Sequence, residues 1–208
     1  MHKFIEPSNN YTQTIHNDSI MLEEIEENTH FIDCEVDCRF GRKQLQEVQF
    51  ENCRFLTNDY TQMEFLDILF KKCDLSNFDF NKSIFYRCKF QACKLIGSQF
   101  IGSKFKNAFW QDCLMNYSIF SESKMNQVCF EGNQLEDTFF QDVSFDKVEF
   151  LKCNLQLADF TESKLSNLDF STCDFIDIKL TPNLAKGLSI RFDQAAAIAI
   201  MLGVTIKN

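Results

Sequence analysis

Residues 73–95 read CDLSNFDFNKSIFYRCKFQACKL. Within this stretch Leu75, Phe80, Phe85, Phe90 and Leu95 stand five apart, and Cys73, Ser83, Cys88 and Cys93 each precede a member of that series by two. The step continues in both directions. Every fifth residue from Phe40 to Leu180 is apolar, and the 29 positions hold 18 Phe, 7 Leu, 2 Met, Tyr60 and Trp110. At 45% apolar composition a chance run of that length has odds on the order of 10⁻¹⁰. A period of five fits neither an isolated amphipathic helix nor a half-buried strand, whose periods are about 3.6 and 2. It requires a backbone that turns a corner every five residues and sends one large side chain inward each time, as a solenoid does.

A second regularity sets the shape of the coil. Of the positions two residues before each large one, 21 of 29 are Cys, Ser, Ala, Val or Thr. Cysteine recurs there every twenty residues, at Cys53, Cys73, Cys93, Cys113, Cys153 and Cys173, with Asn133 in the gap. The large positions keep the same interval: Phe50, Phe70, Phe90, Trp110, Phe130, Phe150 and Phe170 are all aromatic, whereas Phe55, Leu75, Leu95, Met115, Leu135, Leu155 and Phe175 are mostly aliphatic. Four five-residue edges therefore make one coil, and like stacks on like. The reading is a four-sided parallel β-helix of about seven coils, spaced by ~4.8 Å. Its core includes Phe80, Phe100, Trp110, Phe120 and Phe140 beside Cys73, Cys93 and Cys113. Residues 1–28 read as an N-terminal cap, 29–180 as the β-helix and 181–208 as a C-terminal capping and dimerisation segment. Phe31 and Val36, with Thr29 and Cys34 before them, look like two repeats one residue out of phase with Phe40.

Composition agrees. No Pro lies between Pro7 and Pro182, as an uninterrupted ladder requires. The acidic N-terminus has no apolar run long enough for a signal peptide or a membrane span, so a cytoplasmic location is expected. Eight of the ten cysteines occupy the small inward position, and parallel Cβ vectors in a reducing compartment argue against disulfides. There is no CxxC pair, and His2, His16 and His30 lie outside the coils, so neither metal nor cofactor is expected. Phosphate-cradling glycine loops and nucleophile elbows are missing, and no His within the repeats could act as a base, which argues against an enzyme.

Charge is distributed unevenly along the chain. Its net of −9 divides into −7 over residues 1–40, +4 over 41–108, −8 over 109–180 and +2 over 181–208. Glu122, Asp142 and Glu162 are twenty apart and should stack in three successive coils, with Glu136, Asp137, Asp146 and Glu131 deepening the field. Like charges opposite each other on neighbouring strands are destabilising. One reading is an ordinary solvated surface that aids solubility. The other is a rod that imitates a nucleic-acid backbone and binds a basic partner, while repelling nucleic acid itself.

The last 28 residues depart from the repeat. Asp193 reads as the N-cap of a helix over about 194–202, with Gly203 as its stop and Val204–Thr205–Ile206 as a short strand. The helix is apolar on nearly every side, which predicts burial beyond one face. A homodimer joined end to end through Ile198, Ile200, Met201, Leu202, Val204 and Ile206 meets that need; a cap folded onto the last coil is the alternative.

The repeat resembles the pentapeptide repeat family, whose unit reads small residue, Asp or Asn, Leu or Phe, then two variable residues. Cys73-Asp74-Leu75, Cys153-Asn154-Leu155, Ala158-Asp159-Phe160 and Cys173-Asp174-Phe175 are good copies, although the middle Asp or Asn is present in only seven repeats. The resemblance implies a right-handed quadrilateral parallel β-helix. The acidic solenoid, Pro182 and the Ala-rich helix before Leu202-Gly203-Val204 are similar to the Qnr-like quinolone-resistance group. That likeness implies a dimer that mimics DNA and binds DNA gyrase or topoisomerase IV, interfering with DNA binding, protecting against quinolones, or both. Plasmid-borne members carry loops that interrupt the coils. Here the phase never slips from 40 to 180, which implies a loopless rod closer to the chromosomal members that inhibit gyrase. A structural or adaptor solenoid whose acidity is incidental is the competing reading.

Overall fold

The computed structural model describes residues 4–38 and 43–207; Phe40, where the five-residue series begins, lies outside the described residues, as do Gly41 and His2. The chain winds into a parallel β-helix of four-sided coils. Strands β1 (Gln13–His16), β3 (Thr29–Ile32), β5 (Gln44–Glu51), β7 (Glu64–Lys71), β8 (Ile84–Gln91), β9 (Lys104–Gln111), β10 (Lys124–Glu131) and β11 (Ser144–Leu151) form one eight-stranded sheet. β2 (Ser19–Met21), β4 (Glu35–Asp37) and β6 (Arg54–Phe55) form a second sheet, and β12 (Asp159–Phe160) pairs with β13 (Lys179–Leu180). From β5 to β11 partners are twenty residues apart, as in Phe65 opposite Phe85 and Phe90 opposite Trp110. No insertion interrupts these coils.

The corners explain the period. From Glu47 to Asn167 every fifth residue except Thr57 has a φ between +52° and +71°. A left-handed residue redirects the chain, and it costs roughly 1 kcal/mol for most L-amino acids but less for Asn, Asp and Gly. Those three types hold 11 of these 24 corners. The β-branched Thr57 keeps an ordinary φ, because branching at Cβ makes the left-handed region costly. At Gly132 a Cβ would also come within 2.5 Å of Asp112 Oδ1.

Inside, aromatic rings stack along the axis. Phe31, Phe50, Phe70, Phe90, Trp110, Phe130 and Phe150 form a column with centroids 4.8–5.5 Å apart and interplanar angles of 17° or less. Phe80, Phe100, Phe120, Phe140 and Phe160 form another, and the two columns meet edge to face, as Trp110 does with Phe120. Offset stacks and edge-to-face contacts are the favoured aromatic geometries. All the expected core residues, including Cys73, Cys93 and Cys113, are buried.

The small inward position does more than fill space. The thiols of Cys93, Cys113 and Cys153 donate to the carbonyls of Phe70, Phe90 and Phe130 at 3.3–3.4 Å. The hydroxyls of Ser98, Ser103, Ser118 and Ser163 make the equivalent bond, at 2.6–2.8 Å, to Leu75, Phe80, Leu95 and Phe140. Asn133 takes the same place, donating to the Trp110 carbonyl at 2.9 Å and accepting from the Cys113 N–H at 2.8 Å. Each carbonyl lies 23 residues back, so the column ties neighbouring coils together. All ten cysteines are free thiols, and burial raises those of Cys53 and Cys88 to about 12.

Both ends correct the expected boundaries. The ladder starts before residue 29: β1 pairs with β3 sixteen residues on, and β2 pairs with β4 at the same offset. β3 pairs with β5 nineteen residues on, which is the one-residue phase difference seen at Phe31 and Val36. Capping falls to Leu22 and Ile25, buried at the open end. At the other end pairing outlasts residue 180, because the Phe170 N–H donates to the Ser189 carbonyl and Asp169 bridges Ser189. Helix α1 spans Ala195–Met201, and its N-cap is Gln194 without a capping side-chain bond. Asp193, expected to cap it, pairs instead with Arg191 at 3.1 Å. Gly203 ends the helix at φ +81°, but Val204–Ile206 forms no strand. Buried Gln194 fixes this segment to the last coil by donating to the carbonyls of Phe170 and Cys173 at 3.1 and 2.8 Å.

Residues 4–11 form a strap rather than a coil, making no ladder of their own. They run outside the eight-stranded sheet, and Phe4 stacks on Phe109 with ring centroids 6.4 Å apart.

Candidate functional site

The acidic residues singled out in the sequence do not form one cluster. Glu122, Asp142 and Glu162 occupy a single corner column, with φ of 62°, 52° and 60°, and all three are exposed. A corner projects outward, so the coil itself presents these carboxylates to solvent. Lys82 and Gly102 hold the same corner in earlier coils, so its charge reverses along the axis. Glu136 and Asp137 belong to the opposite corner of that side, and Asp146 lies on the next side, where it accepts a hydrogen bond from Asn126 Nδ2. Glu162 is tied to Thr181, whose hydroxyl accepts from the Glu162 N–H at 2.9 Å and donates to its carboxylate at 3.4 Å. Glu136 accepts from Asn116 Nδ2 at 3.5 Å.

Lysines temper this field. Lys104, Lys124 and Lys164 fall in one row two residues beyond the Gly102, Glu122 and Glu162 corner, with Ser144 in the gap beyond Asp142. The acids are thus an edge with an interrupted basic border, and the rest of the negative charge is spread over all four sides of the solenoid. Among the described residues no group of His, Cys, Asp and Glu could hold a metal ion. No helix there is long and apolar enough to cross a membrane.

The residues expected at a dimer interface divide into two sets. Ile198 and Met201 are partly buried against the chain's own core. Ile200, Leu202, Val204 and Ile206 are 50–62% exposed, joined by Phe192 at 98% and Ile176 at 84%. Sequence reasoning alone does not single out Phe192 or Ile176, although Ile176 occupies an outward repeat position where the coil gives an apolar side chain nothing to pack against. The same holds for Ile96, Leu114 and Tyr117, which are exposed outward positions. Tyr117 precedes Asp137 by one coil at the same corner and has a φ of 63°.

No curated protein matches the chain. Two family models do: a pentapeptide repeat region over residues 63–140 and pentapeptide repeats (8 copies) over 140–177. Among solved structures, a trypsin-treated variant of QnrB1, a plasmid-mediated fluoroquinolone resistance protein, is 21% identical over 94% of this chain and 99% of its own, with a TM-score of 0.45. Full-length QnrB1 is 18% identical over 92% of this chain and 100% of its own, at 0.43. HetL, a pentapeptide repeat protein involved in heterocyst differentiation regulation from the cyanobacterium Nostoc sp. strain PCC 7120, is 11% identical over 88% of each chain, at 0.48. The two family models together span more than half of the sequence, and this chain belongs to the pentapeptide repeat family.

Proposed function

We propose that this protein is a DNA mimic that binds a type II topoisomerase, DNA gyrase or topoisomerase IV, and inhibits its binding of DNA, protects it from quinolones, or does both. It acts as a cytoplasmic regulator with no active site of its own. One observation supports this above the rest, the linear charge density of the acidic half. Residues 109–180 make a little over three and a half coils, about 17 Å of axis at ~4.8 Å per coil, and carry a net −8. That is one net charge per about 2 Å, against about 1.7 Å for B-form DNA. Glu122, Asp142 and Glu162 set the regular edge of this charge, while Glu136, Asp137 and Asp146 broaden it.

A homodimer fits the same reading. Phe192, Ile200, Leu202, Val204 and Ile206 leave an apolar end on the rod, beside its acidic half, and a two-fold contact there would cover it. The two acidic halves would then meet near the centre of the rod, each separated by the basic stretch of residues 41–108 from an acidic N-terminal tip. A second reading, an adaptor solenoid with incidental acidity, draws support from the lysine row beside the acidic corner.

The experiment is a gyrase supercoiling assay titrated with the protein, with and without a quinolone. Inhibition alone, or rescue from the drug, is expected and separates the two modes. No effect at about tens of micromolar, well above the Kd of a specific complex, would leave the adaptor reading.

A further inference from the structure

Beyond the proposed topoisomerase role, the basic half of the solenoid has a surface of its own, and a peptide already lies on it. The outward rows of the eight-stranded sheet place Leu69, Lys89 and Phe109 in line, with Leu66, Tyr86 and Lys106 in a parallel row. Residues 4–11 run along these rows from later coils to earlier ones, with Phe4 at Phe109, Glu6 at Lys89, Ser8 at Asp67 and Tyr11 at His30. Phe4 stacks on Phe109 at an interplanar angle of 7°. Glu6 pairs with Lys89 at 3.2 Å, and the Lys89 ammonium sits 5.0 Å from the Phe109 ring centroid. The Ser8 N–H donates to Asp67 Oδ1 at 3.3 Å, and the Tyr11 ring lies 5.7 Å from His30.

The strap and the surface beneath it differ in how firmly they are held. Residues 4–11 make no strand, and Pro7 removes one of the donors a ladder would need. The hydrogen-bonded ladder is first joined at Thr12, whose N–H donates to the Asn28 carbonyl. The Glu6 side chain is 63% exposed, so its ion pair is a weak tether. The receiving groups are fixed without the strap. Asp67 is engaged by both arms of the Arg87 guanidinium, Arg87 lies over the Tyr86 ring, and the Lys89 ammonium lies over the Phe109 ring. The groove would thus stay formed when the strap leaves.

We propose that this groove is a peptide-binding site for extended segments carrying an aromatic residue two positions before a carboxylate, and that residues 4–11 are its built-in competitor. Phe109 is the aromatic platform, Lys89 reads the carboxylate and Asp67 accepts a backbone N–H. A partner segment of the pattern Phe-x-Glu binds once it displaces the strap, so occupancy in cis sets a threshold for binding in trans.

The test uses the full chain and a fluorescein-labelled peptide of residues 4–11, Phe-Ile-Glu-Pro-Ser-Asn-Asn-Tyr, followed by fluorescence anisotropy. A Phe4→Ala/Glu6→Ala chain, whose strap is weakened, is expected to bind the peptide at least about tenfold more tightly than the unaltered chain, the equivalent of 1.4 kcal/mol. Adding Lys89→Glu should abolish that binding, and a peptide with Glu6→Lys should restore it. Equal affinity for the strap-weakened and unaltered chains would overturn the competitor role. No binding by the strap-weakened chain would overturn the site. Should the altered chain fail to fold, the unaltered chain labelled at its N-terminus decides the matter: excess peptide should lower the label's anisotropy, and an unchanged value would overturn the proposal.

Discussion

The solenoid's two halves share one interior and differ in their exteriors. Phe80 and Phe140 belong to the same stacked column, and Ser98 and Ser163 each bond a carbonyl 23 residues back. Outside, residues 41–108 carry +4 and residues 109–180 carry −8. One corner shows the change at single positions, passing from Lys82 through Gly102 to Glu122. The inward positions repeat because the coil admits few alternatives there. The outward ones are free to vary, and function has to be sought among them.

If that division holds, core truncations should be equally severe in both halves. Phe80→Ala and Phe140→Ala should each cost about 3–5 kcal/mol in urea unfolding, the range for large aromatic deletions. A much smaller loss in one half would mean that its column is not packed alike. At the apolar end, Ile200→Asp with Leu202→Asp should give a soluble monomer by light scattering with the fold intact. An unchanged dimeric mass, or a monomer before mutation, would remove this interface. Ile198 and Met201 are poor places for that experiment, because they pack on their own core.

Within the small column the effects should be gentler. Cys93→Ser keeps a donor for the Phe70 carbonyl, as Ser98 does for Leu75, and should stay within about 1 kcal/mol of the parent. Cys93→Val keeps the size but not the donor, and should cost about 1–2 kcal/mol. Equal stabilities would show that the position selects for size alone.

The uniform part of the rod is legible in the sequence and its ends are not, for physical reasons. Between residues 47 and 167 every corner but Thr57 takes a left-handed φ and every inward site is confined, so the pattern is strict. The first coils have sixteen and nineteen residues, so Ile15 and Ile20 meet Phe31 and Val36 out of step, although Ile15, Ile20 and Ile25 keep the five-residue interval. Asp193 had the composition of an N-cap, but Arg191 competes for its carboxylate. The strap has no local signal at all, since Phe4 and Phe109 are brought together only by tertiary structure. The acidic column was visible from its twenty-residue interval. Its lysine border and the exposed Phe192 needed the coil to be drawn.

The smallest expected effect is one of pH, confined to the irregular first coils. Burial lowers the His30 pKa, and a hydrogen bond from Lys71 lowers that of Glu51. Both groups bind protons more readily when unfolded, so both contribute stability that is lost on acidification. For His30 the loss begins below its unfolded value of 6.5, and for Glu51 below 4.5. Amide exchange of β1 and β3 should therefore quicken between neutral pH and about pH 5, after correction for intrinsic rates, while β8 to β10 stay protected. Uniform behaviour along the rod would contradict this assignment.

The most direct test of the DNA-mimic account reverses the charge of one corner. Glu122→Lys, Asp142→Lys and Glu162→Lys are combined in one chain, matched to the parent by circular dichroism and thermal unfolding, and titrated into gyrase supercoiling reactions. The account predicts that the parent acts on gyrase and that the reversed chain, equally folded, loses that action by at least about tenfold. Equal potency of the two chains would contradict it.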